Sequence, residues 1–148
     1  MMTKMMNISF EFIDPLTYRN PEGSFVLRIP KGIQSKENLF AAFESAGQFP
    51  EYFGSNWDAF FDCLRDFEWV QEKTIVILHG DLPLSGNATI CRIYLETLQS
   101  AMEDWTASAA RSNIGNDPKE FSNHELVVAF PSTLQRNISS VLFGHRPN

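Results

Sequence analysis

The sequence predicts an α/β fold with a parallel β-sheet, and three observations lead to this prediction. Residues 74–78 and 126–130 are almost wholly apolar, as expected for strands covered on both faces. Residues 88 to about 110 lie between them and have helical periodicity. A crossover of this length joins parallel strands. The whole order of elements (strand, helix, helix, strand, helix, strand) therefore predicts βαβ units with right-handed crossovers.

Two further strands are predicted near the N-terminus. Residues 7–13 alternate apolar and polar side chains, which indicates a strand with one solvated face. Residues 24–29 form a second candidate strand, which lies between the turn at residues 19–23 and Pro30. The first of these strands either lengthens the sheet or pairs with the C-terminal tail.

Two helices are predicted between residues 35 and 67. Ser35 occupies an N-cap position, and Gly47 is a suitable C-terminal stop. Pro50 disfavours helix at Phe49, so the chain must turn before the second helix begins. Gly54 is expected to take a positive φ in that turn.

The second helix is expected to have an apolar side and an acidic side. It begins after the N-cap Asn56 and extends to about residue 67. Its apolar stripe has the spacing i, i+3, i+4 and i+7, and consists of Trp57, Phe60, Phe61 and Leu64. A second line, with steps of four residues, consists of Asp58, Asp62 and Asp66.

The acidic line has two explanations that the pattern alone leaves open. It is either a solvated helix face or a surface that binds a cationic partner. Four aromatic residues lie close to these carboxylates, and Phe61 and Tyr52 are the two expected to be partly exposed; the others are Phe53 and Trp57. Exposed aromatic side chains beside fixed charges are typical of protein–protein hot spots.

Composition limits the classes of function. The chain has 148 residues and is expected to form a single domain over residues 1–148. Its net charge of −6 argues against a direct nucleic-acid partner and is compatible either with a cationic partner or with solubility alone. No secretion signal and no apolar run of membrane-spanning length is present, so a cytoplasmic protein is expected. Cys63 and Cys91 are expected to be buried free thiols.

The sequence offers little support for an enzyme or for a cofactor. It has no GxGxxG, P-loop, GxSxG or HExxH motif. Its three histidines, His79, His124 and His145, are scattered along the chain. Asp58 and Asp62 alone supply too few oxygen ligands for a calcium ion. We therefore expect no catalytic residue, no metal site and no cofactor.

Residues 50–64, with the sequence PEYFGSNWDAFFDCL, resemble the loop and second helix of the barstar family of ribonuclease inhibitors. The matching residues are Pro50, Glu51, Tyr52, Gly54, Asn56, Asp58, Ala59, Asp62, Cys63 and Leu64. Outside this run the resemblance is one of element order, over roughly residues 25–130. It implies a barstar-like, three-stranded parallel sheet packed with helices, plus a possible extra N-terminal strand and extensions at residues 1–23 and 131–148.

The resemblance also implies a function and a set of partner-binding residues. Asp62 matches the family carboxylate that enters the nuclease active site, and Asp58 matches a second contact. Other positions of the binding loop and helix are matched by Tyr52, Gly54, Asn56, Trp57 and Phe61. The implied partner is a basic ribonuclease, secreted or acting as a toxin, for which this chain would be the immunity protein or antitoxin. The alternative is a barstar-like interaction or regulatory domain whose target is not a nuclease.

Two departures from the family pattern affect this expectation. Ser55 lies where a family member has an acidic residue, which lowers the local negative charge. The family also has a further acidic contact beyond the second helix. Glu103 and Asp104, on the long predicted helix, are the candidates for it.

Overall fold

The computed structural model describes residues 8–50, 53–114 and 124–144. Its four strands are β1 (Glu11–Ile13), β2 (Phe25–Ile29), β3 (Thr74–His79) and β4 (Glu125–Pro131). Its α-helices are α1 (Lys36–Gly47), α2 (Trp57–Leu64), α3 (Ala88–Ile114) and α4 (Gln135–Phe143). A short 3₁₀ helix, Ser132–Leu134, leads into α4.

The four strands form one parallel sheet in the order β1-β4-β3-β2. Ile75 of β3 pairs with Leu126 of β4, which confirms the predicted parallel pairing of the two most apolar strands. Glu11 of β1 pairs with Ala129 of β4. The N-terminal strand therefore lengthens the sheet and does not pair with the tail.

The helices that follow β2 and β3 pack on the same face of the sheet. Because β2, β3 and β4 are successive neighbours, right-handed crossovers place α1, α2 and α3 on one side. Alternate strand residues contribute to this core, namely Leu27, Ile29, Ile75, Ile77, Leu126, Val128 and Phe130. Val76, which alternates with them, is also buried, as predicted for a strand covered on both faces.

Helix α2 is shorter than the sequence predicts. It ends at Leu64, and Phe67 takes a φ of 45°, which is incompatible with a continuing helix. The indole Nε1 of Trp105 donates to the carbonyl oxygen of Leu64 at 2.9 Å and so satisfies one of the carbonyl groups left free at the helix end. Other boundaries also differ from the prediction. Strand β1 begins only at Glu11, α3 extends to Ile114, and the chain after β4 forms α4.

The predicted glycine turns are also partly wrong. Ser55, not Gly54, has the positive φ in the turn before α2, at 58°. At the end of α1 the left-handed residue is Gln48, with a φ of 55°, and Gly47 is the last helical residue. Packing favours glycine at position 47, because a Cβ atom there would lie 2.7 Å from Cδ2 of buried Leu27, which would have to shift.

Both cysteines are buried and free, as predicted. Burial raises the pKa of each thiol to about 11, and nearby Asp66 and Asp62 add to the shift at Cys63. No helix in residues 8–50, 53–114 and 124–144 has the length and hydropathy needed to cross a membrane.

The described histidines have structural hydrogen bonds. His124 joins two loop carbonyls, with Nδ1 2.8 Å from Glu72 O and Nε2 3.0 Å from Phe67 O. His79 is buried, with Nδ1 3.0 Å from Ala129 O and Nε2 2.6 Å from the Tyr94 hydroxyl. One neutral tautomer satisfies both contacts of His79: Nδ1 donates to the carbonyl and Nε2 accepts from the hydroxyl. His145 lies outside the described residues.

His79 gives the fold a pH-dependent term in its stability. Burial lowers the pKa of His79 from 6.5 to about 3, so between these values the unfolded chain binds the proton more readily. The stability that neutral His79 gives to the fold is fully present above about pH 6.5. We expect it to be lost at up to about 1.4 kcal/mol per pH unit as the pH falls towards 3.

The measurement is urea unfolding of the wild type and of His79→Gln at about pH 7.5 and about pH 4.5. Glutamine can donate and accept but does not titrate. The variant should therefore be less stable at the higher pH and should lose less stability on acidification. Equal losses in the two proteins would contradict the assignment.

Candidate protein-binding surface

The site residues predicted from the sequence lie on α2 and in the turn before it. Asn56 is the N-cap of α2, since its Oδ1 accepts from the Ala59 amide at 2.8 Å. Its Nδ2 lies 3.4 Å from the carbonyl oxygen of exposed Gly54. Exposed Asp58 lies in the first turn, where the positive end of the helix dipole stabilises a carboxylate. Tyr52 lies outside the described residues.

The aromatic residues divide between core and surface. Phe53 is buried, and Trp57 is half-buried with its ring edge-on to Phe40 at a centroid distance of 5.1 Å. Phe61 is half-buried at the border of the acidic side, which confirms its predicted partial exposure. Of the aromatic residues that the structure describes here, Phe61 and Trp57 therefore contribute to the surface beside the carboxylates.

The helical part of the acidic line is shorter than predicted. Asp58 and Asp62 are exposed and lie one turn apart on α2. Asp66 follows the end of the helix but lines one cleft together with Asp62. Asp62 lies in the last turn, where the negative end of the helix dipole disfavours a carboxylate.

Arg65, the C-cap residue of α2, offsets this cost and connects α2 to α3. Its Nη2 donates to Asp62 Oδ1 at 2.7 Å, and its Nη1 donates to Asp104 Oδ2 at 3.0 Å. Its guanidinium carbon lies 4.1 Å from the centroid of the Phe61 ring. The pKa of Arg65 is raised by these hydrogen bonds. The bond to Asp62 has the larger effect, and the bond to Asp104 has the next largest.

Helix α3 completes the surface through two clefts. The larger, of about 510 Å³, is lined by Asp62, Arg65, Asp66, Asp104, Trp105 and Ser108. The smaller, of about 220 Å³, is lined by Trp57, Asp58, Phe61, Ile93, Glu96, Thr97 and Ser100. Carboxylates of both helices therefore border the furrow between them.

The two candidates for a further acidic contact lie in different environments. Asp104 contacts α2 through Arg65 and lines the larger cleft. Glu103 accepts instead from Gln99 Nε2 at 3.2 Å, and the same amide also donates to the Ser9 hydroxyl. Asp104 is therefore the candidate that belongs to the surface of α2.

The side chains of this surface can form ion pairs, hydrogen bonds and apolar contacts with a partner. The described residues of the surface include several carboxylates, Arg65 and the partly exposed ring of Phe61. Among the described residues, no group of three or more His, Cys, Asp or Glu side chains is placed to hold a metal ion. The arrangement fits a partner that presents cationic groups on a shaped surface.

One protein family matches most of the chain. A family model described as Barstar (barnase inhibitor) matches residues 25–121, which is more than half of the sequence. This chain belongs to the barstar family. The match includes α2 and α3, and therefore the surface described above, but not β1, β4 or α4. No curated protein and no solved structure matches the chain significantly.

Two residues of this barstar family surface were missed by sequence reasoning. Arg65 lies three residues after Asp62, and that spacing alone could have indicated the pair. Glu96 gives no local signal, because its place beside Asp58 depends on how α3 packs against α2.

Proposed function

We propose that this barstar family protein inhibits a ribonuclease by covering the enzyme's basic active site with the surface of α2. The observation that carries the proposal is the pair of exposed carboxylates, Asp58 and Asp62, on a helix within the family match. The proposed contact residues are Tyr52, Gly54, Asn56, Trp57, Asp58, Phe61 and Asp62.

The proposed mechanism follows from the chemistry of RNA cleavage. A ribonuclease must bind a phosphodiester, so its active site presents arginine, lysine and histidine side chains. Carboxylates held where phosphates would bind can block that site. Helix α2 is suited to hold them, because the Asn56 cap orders its start and Trp105 bonds to its last carbonyl. Less conformational entropy is then lost on binding.

Charge supports the same proposal. The chain carries a net charge of −6, and carboxylates of α2 and α3 border one furrow. Complementary charge speeds the encounter with a basic enzyme, and salt weakens the effect. We include in the proposal a cytoplasmic setting, which the two free thiols favour, and a role as immunity protein against a secreted or toxin ribonuclease.

One observation favours a second candidate function. Arg65 pairs with Asp62 and with Asp104, so part of the acidic charge is already balanced within the chain. A barstar family domain could use this mixed surface to bind a protein that is not a nuclease. The two functions differ in whether binding abolishes RNA cleavage.

The test is to add increasing amounts of the purified protein to barnase and to a panel of other basic ribonucleases, and to measure RNA cleavage. We expect stoichiometric loss of activity for at least one enzyme. The double variant Asp58→Ala, Asp62→Ala should not inhibit that enzyme.

The control for each single variant, Asp58→Ala or Asp62→Ala, is Glu11→Ala, which also removes one exposed acid, here from β1. Phe10 and Phe130 belong to the core, so alternation places Glu11 on the sheet face away from the helices. This control should inhibit as the wild type does. If the protein binds a target and leaves every ribonuclease active, the second candidate replaces the first.

A further inference from the structure

Arg65 occupies a position that a partner's arginine would be expected to take. Its guanidinium bonds to one carboxylate on each of two helices, Asp62 on α2 and Asp104 on α3. The Phe61 ring lies against its face at 4.1 Å. Two carboxylates and an aromatic ring are the groups that recognise a guanidinium at a protein interface.

We infer that Arg65 is a specificity-determining residue of the proposed interface, because it acts as an internal competitor for the carboxylates that a basic partner must reach. The inference rests on the proposed function. It predicts that Arg65 weakens binding to partners that offer only cations at this place. It also predicts that Arg65 favours a second kind of partner. Such a partner has a negatively charged group next to its cations, and this group contacts the Arg65 guanidinium.

The exposure of the three side chains makes this competition possible. The side chains of Arg65, Asp62 and Asp104 are 40%, 67% and 49% exposed. Ion pairs this accessible to water are weak, so a partner can displace Arg65 without breaking the fold. Each carboxylate gives one oxygen to Arg65, so a partner cation that approaches the same carboxylate is repelled by the guanidinium charge.

A purely structural role for Arg65 makes different predictions. Arg65 could serve only to balance the negative end of the α2 dipole and to join α2 to α3. Its replacement would then lower the free energy of unfolding and would weaken or leave unchanged the binding of a basic enzyme. The internal-competitor role predicts tighter and faster binding after removal of the charge.

The test measures association and dissociation rate constants with barnase, the ribonuclease named in the family description. Arg65→Gln removes the charge, whereas Arg65→Lys keeps it. Arg28→Gln makes the same change in net charge on the sheet face away from the helices, since its neighbours Leu27 and Ile29 are in the core. Urea unfolding of each variant checks that the fold is retained.

We expect Arg65→Gln to associate with barnase at least about threefold faster at low salt, and the gain to shrink at high salt. Arg28→Gln should associate at a rate close to that of the wild type, and Arg65→Lys, which keeps the charge, should gain less than Arg65→Gln. Binding of barnase by Arg65→Gln but not by the wild type would be the strongest support.

The failures of the inference and of the proposed function are distinguishable. If Arg65→Gln binds no faster than wild type while Asp62→Ala weakens binding, Arg65 is structural and the proposed function stands. If Asp58→Ala and Asp62→Ala both bind barnase as the wild type does, the acidic surface is not the interface. Both proposals then fail for this enzyme. Absence of binding by wild type and Arg65→Gln alike also overturns the inference.

Discussion

Asp62→Ala should weaken binding to the target ribonuclease by more than about 2 kcal/mol, the usual threshold for a hot-spot residue. This carboxylate is exposed, lies at the end of a short capped helix and borders a cleft of about 510 Å³. Truncation would leave the cationic groups of the enzyme without their partner in a site from which water is excluded. The measurement is the inhibition constant or the ratio of the two rate constants.

Folding should be nearly unaffected by the same change. Removal of Asp62 relieves repulsion by Asp58 one turn earlier but also removes the exposed pair with Arg65. These opposing effects are each a few tenths of a kcal/mol, so the free energy of unfolding should change by less than about 1 kcal/mol. If Asp62→Ala and Asp58→Ala both bind like wild type, the two aspartates form only a solvated helix face.

Phe60→Ala should lower the free energy of unfolding by about 3–5 kcal/mol, the cost of truncating a phenylalanine in a packed core. Phe60 is completely buried on the side of α2 opposite the carboxylates. Its ring lies within 6.4 Å, centroid to centroid, of five others, those of Phe40, Phe43, Phe49, Trp57 and Tyr94. A cavity there removes contacts to α1 and α3 together.

The matched control is Phe61→Ala, at the next position of the same helix. Phe61 is half-buried and contacts Arg65, so its truncation should cost less stability and should weaken binding. Urea unfolding measures both stabilities. A loss of less than about 1 kcal/mol for Phe60→Ala would show that the core repacks and would contradict this assignment.

The features that could be predicted from the sequence depend on neighbouring residues. The N-caps Ser35 and Asn56 were predicted because a cap acts on amides within its own first turn, as both do here. The strands β3 and β4 were predicted because each is a short apolar run. Membership of the barstar family was predicted from the local motif at residues 50–64, and the family match confirms it.

The features that the sequence could not give depend on distant residues. The end of α2 at Leu64 involves a distant residue, because Trp105 of α3 donates to the Leu64 carbonyl. The bridge from Arg65 to Asp104 joins residues on different helices, so no local pattern reveals it. Helix α4 begins without a side-chain cap, and only two of its residues, Ile138 and Leu142, are buried.

The pairing of β1 with β4 has a consequence for how the chain folds. Glu11 cannot pair with Ala129 until β4 has been synthesised, whereas β2, α1, α2 and β3 follow one another directly. Contacts between residues so far apart in sequence form slowly, because a long loop must close first. We therefore expect the helix that carries Asp58 and Asp62 to pack against α1 early, and β1 and β4 to join the sheet last.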